Sequence, residues 1–157
     1  LRRLEERGLA VARLTLQVGE GTFLPVVAER LEDHTMHAER FHVPEATKEA
    51  VRAARARGGC VVAVGTTSCR ALEHCASSGE AAGATRLFIT PGFRFRWTDA
   101  LLTNFHTPRS TLLALVAAFA QHAGAPDGLG LLKAAYAAAV AAEYRFYSYG
   151  DASLWLP

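Results

Sequence analysis

An α/β fold, a layered α/β/α sandwich around a mostly parallel or mixed sheet, is predicted by three features of this 157-residue sequence. Short apolar runs alternate with helical patterns of about ten to fifteen residues. Glycine- and proline-bearing turns punctuate the boundaries between them. Half of the residues are hydrophobic, enough to bury a sizeable core in a chain of ordinary single-domain length. Residues 1–157 are therefore read as one domain, with no repeat and no linker.

Residues 1–7 carry a charged helical pattern that Gly8 stops, and no signal peptide is expected there. Residues 10–18 alternate as a strand does, and Gly19-Glu20-Gly21-Thr22 reads as a turn. The stretch 26–40 is polar and without a clear period, and it ends in a strand-like segment over 39–43. Pro44 suits the first position of a helix over 44–57, which Gly58-Gly59 closes. The run 60–64 is apolar at all five positions, the pattern of a strand buried on both faces. Gly65-Thr66-Thr67-Ser68 then leads into a helix over 69–76. A loop rich in glycine, serine and alanine precedes a further buried strand over 86–90. After the Pro91-Gly92 turn come two short strands, 93–97 and 100–103. Helices are expected over 110–121 and 129–143, joined by the loop 122–127. The aromatic stretch 144–149 passes through Gly150-Asp151 to a last strand over 152–156.

Seventeen Lys and Arg against fifteen Asp and Glu leave a net charge of +2, which excludes a strongly electropositive nucleic-acid binder of the histone kind. Only Lys48 and Lys133 are lysines; the arginine bias suits phosphate and carboxylate recognition and equally a GC-rich genome. Cys60, Cys69 and Cys75 are odd in number and form no CxxC pair, so buried reduced thiols are expected rather than a disulfide framework or a zinc site. The longest apolar runs, 112–120 and 134–142, fall well short of the roughly 20 residues a bilayer requires. The chain is expected to be soluble and cytoplasmic, with no membrane partner.

Four segments carry chemistry. In 60–76 a buried strand delivers Gly65, Thr66, Thr67 and Ser68 to a helix N-terminus, with Arg70 in its first turn. Free N–H groups, hydroxyls and the helix dipole there favour an anion, although the same residues also serve as plain caps. The segment 32–39 packs Glu32, Asp33, His34, His37 and Glu39 into eight positions, as an acid–base set, a metal pair lacking its third ligand, or a solvated polar stretch. Asn104, Phe105 and His106 follow a strand and precede a helix, so an amide, an aromatic face and an imidazole share the ligand edge, which suits a stacked and hydrogen-bonded base or plain structural capping. In 144–151 the tyrosines and Arg145 read as core plus rim, and Asp151 either acts on a ligand or closes a turn. The arginines at 52, 55 and 57 and at 94 and 96 form clusters that suit phosphates or solvent.

Taken in order, five segments resemble one family. They are VGEGTF (18–23), EDHTMHAE (32–39), AVGTTSCR (63–70), TNFHTPRSTL (103–112) and YRFYSYGDA (144–152). Their sequence and spacing are similar to those of the S-adenosylmethionine:tRNA ribosyltransferase-isomerases of queuosine biosynthesis. The resemblance implies an enzyme that uses S-adenosylmethionine as a ribosyl donor and needs no metal. The ribosyl group passes to 7-aminomethyl-7-deazaguanine in tRNA and rearranges to epoxyqueuosine, while adenine and methionine leave.

By the same resemblance, Gly65, Thr66, Thr67, Ser68 and Arg70 hold the methionine carboxylate or a phosphate. Asn104, Phe105, His106 and Tyr149 contact adenine or the deazaguanine. His34, His37, Glu39, His106 and Asp151 are the acid–base candidates. The family has His, Ala and Ser where this chain has Gln17, Glu20 and Ala38. Family members are also longer: their N-terminal half holds a β-barrel domain and the remainder of the α/β core. The chain is thus expected to correspond to the C-terminal part of a larger core domain, with a second chain as a possible source of the other half and an apolar edge where that half packs. The alternative is a non-catalytic module that binds a nucleotide, tRNA or a partner subunit.

Overall fold

The computed structural model describes residues 1–19 and 30–157. Among these, a short helix α1 (Arg2–Glu5) leads to β1 (Thr15–Leu16), and a single 3-10 turn (Leu31–Asp33) precedes β2 (Glu39–His42) and α2 (Glu45–Ala56). There follow β3 (Val62–Val64), α3 (Thr66–Ser78), β4 (Ala82–Thr85) and β5 (Ala100–Asn104). The helices α4 (Thr111–His122) and α5 (Gly128–Ala141) and the strand β6 (Ala152–Trp155) complete the chain. The α/β class and the mixed sheet expected from the sequence are both present.

The strands form two three-stranded sheets. One has the order β1-β2-β4 and is antiparallel throughout. The other has the order β3-β5-β6, parallel between β3 and β5 and antiparallel between β5 and β6. In the second sheet Ala63, Leu101 and Trp155 are direct cross-strand neighbours. They face a core built with Cys69 and Leu72 of α3, Leu115, Val116 and Phe119 of α4, and Leu132 of α5. Helix α3 lies between the sheets: its Ala71 and Cys75 pack on Phe41 and Val43 beside the first sheet. The burial of Cys69 pushes its thiol up to about 12, so it is an inert part of the core.

Several expected boundaries change, each for a local reason. The strand over 10–18 shrinks to Thr15–Leu16. The helix expected over 69–76 starts at Thr66, so Thr66, Thr67 and Ser68 are its first turn rather than a loop. No strand forms over 86–90; Ala82–Thr85, expected as loop, pairs with β2 instead. The ladder stops where Leu87 N–H donates to Thr85 Oγ1 rather than to a neighbouring strand. Ile89 is nevertheless fully buried, so this run serves packing without pairing.

Residues 93–97 are likewise not a strand. The backbone N–H groups of Arg96, Trp97 and Thr98 donate to the fully buried Glu73 carboxylate at 2.7, 3.0 and 2.8 Å. A side chain of α3 thereby replaces a neighbouring strand as their acceptor. Cys60 is exposed, unlike Cys69 and Cys75, because it precedes β3; all three are free thiols. The turn expected at Gly19-Glu20-Gly21-Thr22 lies, from Glu20 onward, outside the described residues.

Candidate functional site

A cleft of about 230 Å³ opens where the N-terminus of α3 meets the C-terminal end of β5. Its walls come from Gly65, Thr66 and Thr67, from residues 103–107, and from Tyr147 and Ser148, with Val18 and Leu112 at the sides. Small-molecule sites usually enclose roughly 300–1,000 Å³, so the described residues surround only part of a nucleoside-sized ligand.

Gly65 sets the start of α3. Its N–H donates to Leu102 O at 2.8 Å, tying the turn to β5, and its φ of +90° lies in the region that favours glycine. No side chain caps α3. By contrast, Ser110 caps α4 by accepting from Leu113 N–H, and Asp127 caps α5 by accepting from Gly130 N–H. The first-turn amides of α3, which have no partner within the helix, thus meet the cleft together with the positive end of the helix dipole.

The opposite wall is held by a small network. Thr103 Oγ1 and His106 Nε2 are 3.0 Å apart, and the His106 backbone N–H donates to the Tyr136 hydroxyl at 2.9 Å. Burial lowers His106 to about 4, so its imidazole is neutral at physiological pH. Burial likewise raises the Tyr136 hydroxyl, with the His106 N–H acting in the opposite direction. Asn104 Nδ2 donates to Tyr147 O at 3.2 Å, and Tyr147 N–H donates to Phe105 O at 3.1 Å. These two bonds fasten the loop after α5 to the end of β5 and leave Tyr147 at φ +70°. The ring of Phe105 is only 5% exposed and packs against Tyr136, Tyr144 and Phe146. Little of its face is left for a nucleobase, so it supports the wall from behind.

Of the residues singled out in the sequence, the cleft brings together Gly65, Thr66, Thr67, Asn104, Phe105 and His106. Ser68 and Arg70 lie further along α3 and do not line it. Arg70 is buried and paired with the buried Glu39, whose other oxygen accepts from Gly19 N–H. The pair ties α3 to β2; Arg70 Nε also donates to Leu87 O at 3.2 Å, while its buried Nη2 has no hydrogen-bond partner among the described residues. His34 stacks edge-on against Phe88 and His37 is exposed, both outside the cleft lining.

Asp151 closes a turn by accepting from the Arg145 N–H at 2.7 Å and from its guanidinium at 3.3 Å. The first of these bonds, reinforced by the second, holds its carboxyl below the usual range. Tyr149 is 98% exposed and stands clear of the cleft. Arg52 pairs with Glu45 and Arg55 with Asp99, which accounts for two of the clustered arginines. Among the described residues no three His, Cys, Asp or Glu side chains converge as metal ligands. No helix among them is long and apolar enough to cross a membrane.

Thr103, Tyr136, Tyr147 and Ser148 emerge only from the structure. The tail motif YRFYSYGDA carried a signal for the two loop residues, through its density of amphipathic side chains. Nothing local marked Tyr136, whose partner lies 30 residues away.

Comparison with known proteins gives a consistent picture. The profile described as "Queuosine biosynthesis protein" matches residues 1–155. The S-adenosylmethionine:tRNA ribosyltransferase-isomerase of Thiobacillus denitrificans is 55% identical over 152 residues, covering 95% of this chain and 42% of that relative. The protein of the same name from Methylobacterium sp. is 56% identical over 158 residues, covering 98% of this chain and 42% of its own length. The crystal structure of an S-adenosylmethionine tRNA ribosyltransferase from Thermotoga maritima superposes with a TM-score of 0.77 at 41% identity, over 98% of this chain and 47% of that one. The chain thus spans less than half the length of the curated relatives it matches.

Proposed function

We propose a function from a single premise: this chain belongs to the queuosine biosynthesis protein family. It forms the S-adenosylmethionine-binding wall of a tRNA ribosyltransferase-isomerase. The reaction moves the ribosyl moiety of S-adenosylmethionine to 7-aminomethyl-7-deazaguanine in tRNA to give epoxyqueuosine and releases adenine and methionine. The observation that carries this reading is the uncapped N-terminus of α3 facing the end of β5 across one cleft.

The two walls divide the ligand. The first-turn amides of α3, with the Thr66 and Thr67 hydroxyls, suit the methionine carboxylate, an anion matched to free N–H groups and the helix dipole. The β5 wall suits the base. With Nε2 engaged by Thr103, a neutral His106 leaves Nδ1 as a single donor or acceptor for the edge of adenine or of the deazaguanine. Its low proton affinity makes it a poor general base at neutral pH, so its part is to bind and orient. Of the acid–base candidates named from the sequence, His106 is the one that lines the cleft.

A second reading has its own observation. The cleft encloses about 230 Å³, less than a complete small-molecule site. On this reading the chain binds S-adenosylmethionine but requires further residues for turnover.

The test is calorimetric titration of the chain with S-adenosylmethionine, paired with adenine release in the presence of tRNA bearing 7-aminomethyl-7-deazaguanine. The variant is Thr67→Asp. A carboxylate in the first turn of a helix favours the helix itself but repels a ligand carboxylate. At least a tenfold loss of affinity with the fold retained is expected. Undiminished binding by Thr67→Asp removes the carboxylate site from the α3 N-terminus. Binding without adenine release selects the second reading.

A further inference from the structure

Among the described residues, those other than glycine with a positive φ are Arg109 at +55°, Glu143 at +59° and Tyr147 at +70°. Two of them stand at the mouth of the cleft. Tyr147 is part of its wall, and Arg109 falls between the lining residues Thr107 and Leu112. Bonds to Asn104 and Phe105 hold Tyr147 in place. Arg109 has no comparable restraint. Thr107, Pro108, Arg109 and Ser110 form a turn, which the Ser110 hydroxyl closes by donating to Thr107 O at 2.8 Å. Proline in second place and a left-handed residue in third is the order of a type II turn, whose third position favours glycine or asparagine. An arginine there carries a backbone cost that glycine avoids. Arg52, Arg55, Arg70 and Arg145 pair with carboxylates, whereas Arg109 is exposed and has no ion pair or hydrogen bond among the described residues.

Strain that neither packing nor pairing explains marks a position kept for its side chain. The following helix does not supply a site of its own, since Ser110 already caps α4 by accepting from Leu113 N–H. What remains is a free guanidinium at the rim of the cleft. The same mouth carries phenol rings: Tyr147 is 60% exposed, and Tyr144, which packs on Phe105, 49%. A guanidinium and exposed rings around one cleft are the groups that hold single-stranded RNA, the cation on phosphate and the rings on bases. We infer that Arg109 binds a backbone phosphate of the RNA strand beside the nucleotide that enters the cleft. The inference rests on the function proposed above, in which that nucleotide is the ribosyl acceptor in tRNA. The competing anion is the methionine carboxylate, which that function assigns to the N-terminus of α3 on the opposite wall.

The experiment reads two ligands on the same samples. Fluorescence anisotropy follows tRNA bearing 7-aminomethyl-7-deazaguanine, and calorimetry follows S-adenosylmethionine. Arg109→Gly removes the cation and relieves the turn, whereas Arg109→Lys keeps a cation. Arg57→Ala is the comparison: Arg57 is exposed at the C-terminus of α2, near where Arg55 pairs with Asp99 at the far end of β5. Arg109→Gly is expected to weaken tRNA binding about tenfold and to lower the slope of log affinity against log salt by about 1. Its Tm is expected to equal or exceed that of the parent chain, with S-adenosylmethionine affinity unchanged. Arg109→Lys is expected to recover most of the loss, because a phosphate also accepts a point charge. Arg57→Ala is expected to alter neither ligand.

Undiminished tRNA affinity in Arg109→Gly overturns the proposal, and so does a parent chain that does not bind the tRNA. An equal loss in Arg57→Ala overturns it too, because the attraction then belongs to the charge of the whole molecule. Weaker S-adenosylmethionine binding with tRNA binding unchanged assigns the guanidinium to the carboxylate and overturns it. A lower Tm with both ligands weakened assigns Arg109 to the fold and overturns it as well. Failure of the parent chain to bind S-adenosylmethionine counts against the carboxylate site on α3, and the tRNA contrast between parent and Arg109→Gly still decides this proposal.

Discussion

Single residues here are placed by what they must satisfy. Glu73 is a fully buried carboxylate on α3 that nonetheless needs no cation, because three successive backbone N–H groups occupy its oxygens. Glu39, 31 positions before Arg70, solves the same problem with a guanidinium. Its presence in a cluster of titratable residues suggested acid–base chemistry, yet its environment makes it a brace. His106 is the contrasting case, held at the cleft by Thr103 and Tyr136 and kept neutral by burial.

That neutrality has a pH consequence. Folding lowers His106 from its usual 6.5 to about 4. Between those values the unfolded chain binds a proton that the folded chain refuses. The contribution is therefore fully present above about pH 6.5 and is lost as pH falls towards 4, at about 1 kcal/mol per pH unit. Urea unfolding between pH 4.5 and 7 should show this slope, and His106→Gln should flatten it by that amount. An unchanged slope in the variant would show that His106 is not kept neutral by the fold.

Among the elements, α5 begins in close approach to the backbone of α4. A Cβ added to Gly128 would overlap the Ala117 carbonyl oxygen and crowd Gln121 N at 2.8 Å. Both are backbone atoms inside α4, so the helix must move as a whole. Gly128→Ala should cost about 2 kcal/mol, the usual scale of overpacking, measured as a lower urea midpoint. A midpoint at or above that of the parent chain would contradict the close approach. Because α5 also carries Tyr136, the same substitution is expected to loosen the His106 wall.

Elements were legible in the sequence where the signal was local. Pro44 and Gly58-Gly59 bracket α2, and the helices expected over 110–121 and 129–143 form as α4 and α5. Gly65–Thr67 and residues 104–106, which line the cleft, were legible as neighbours because a strand end meeting a helix start is itself a local pattern. The rest is non-local. Ala82–Thr85 has no strand propensity and forms only because β2 supplies its ladder. Residues 93–97 have the composition of a strand but find their acceptors on α3. Tyr147 enters the cleft through bonds to Asn104 and Phe105, and the first of these spans 43 residues.

At the scale of the whole molecule, a mixed sheet carries helices on one face, a cleft at one end and exposed apolar side chains on the other side. The cleft is only partly enclosed, in agreement with a chain that spans less than half of its relatives' length. The family assignment and the site geometry meet at one claim, that S-adenosylmethionine lies between the N-terminus of α3 and the end of β5. The most direct test is a two-dimensional amide NMR spectrum of the isotopically labelled chain during titration with S-adenosylmethionine. The account predicts saturable shifts concentrated at Gly65–Thr67, at 103–107 and at Tyr147 and Ser148. Shifts centred elsewhere, or a spectrum unmoved at saturating ligand, would contradict it.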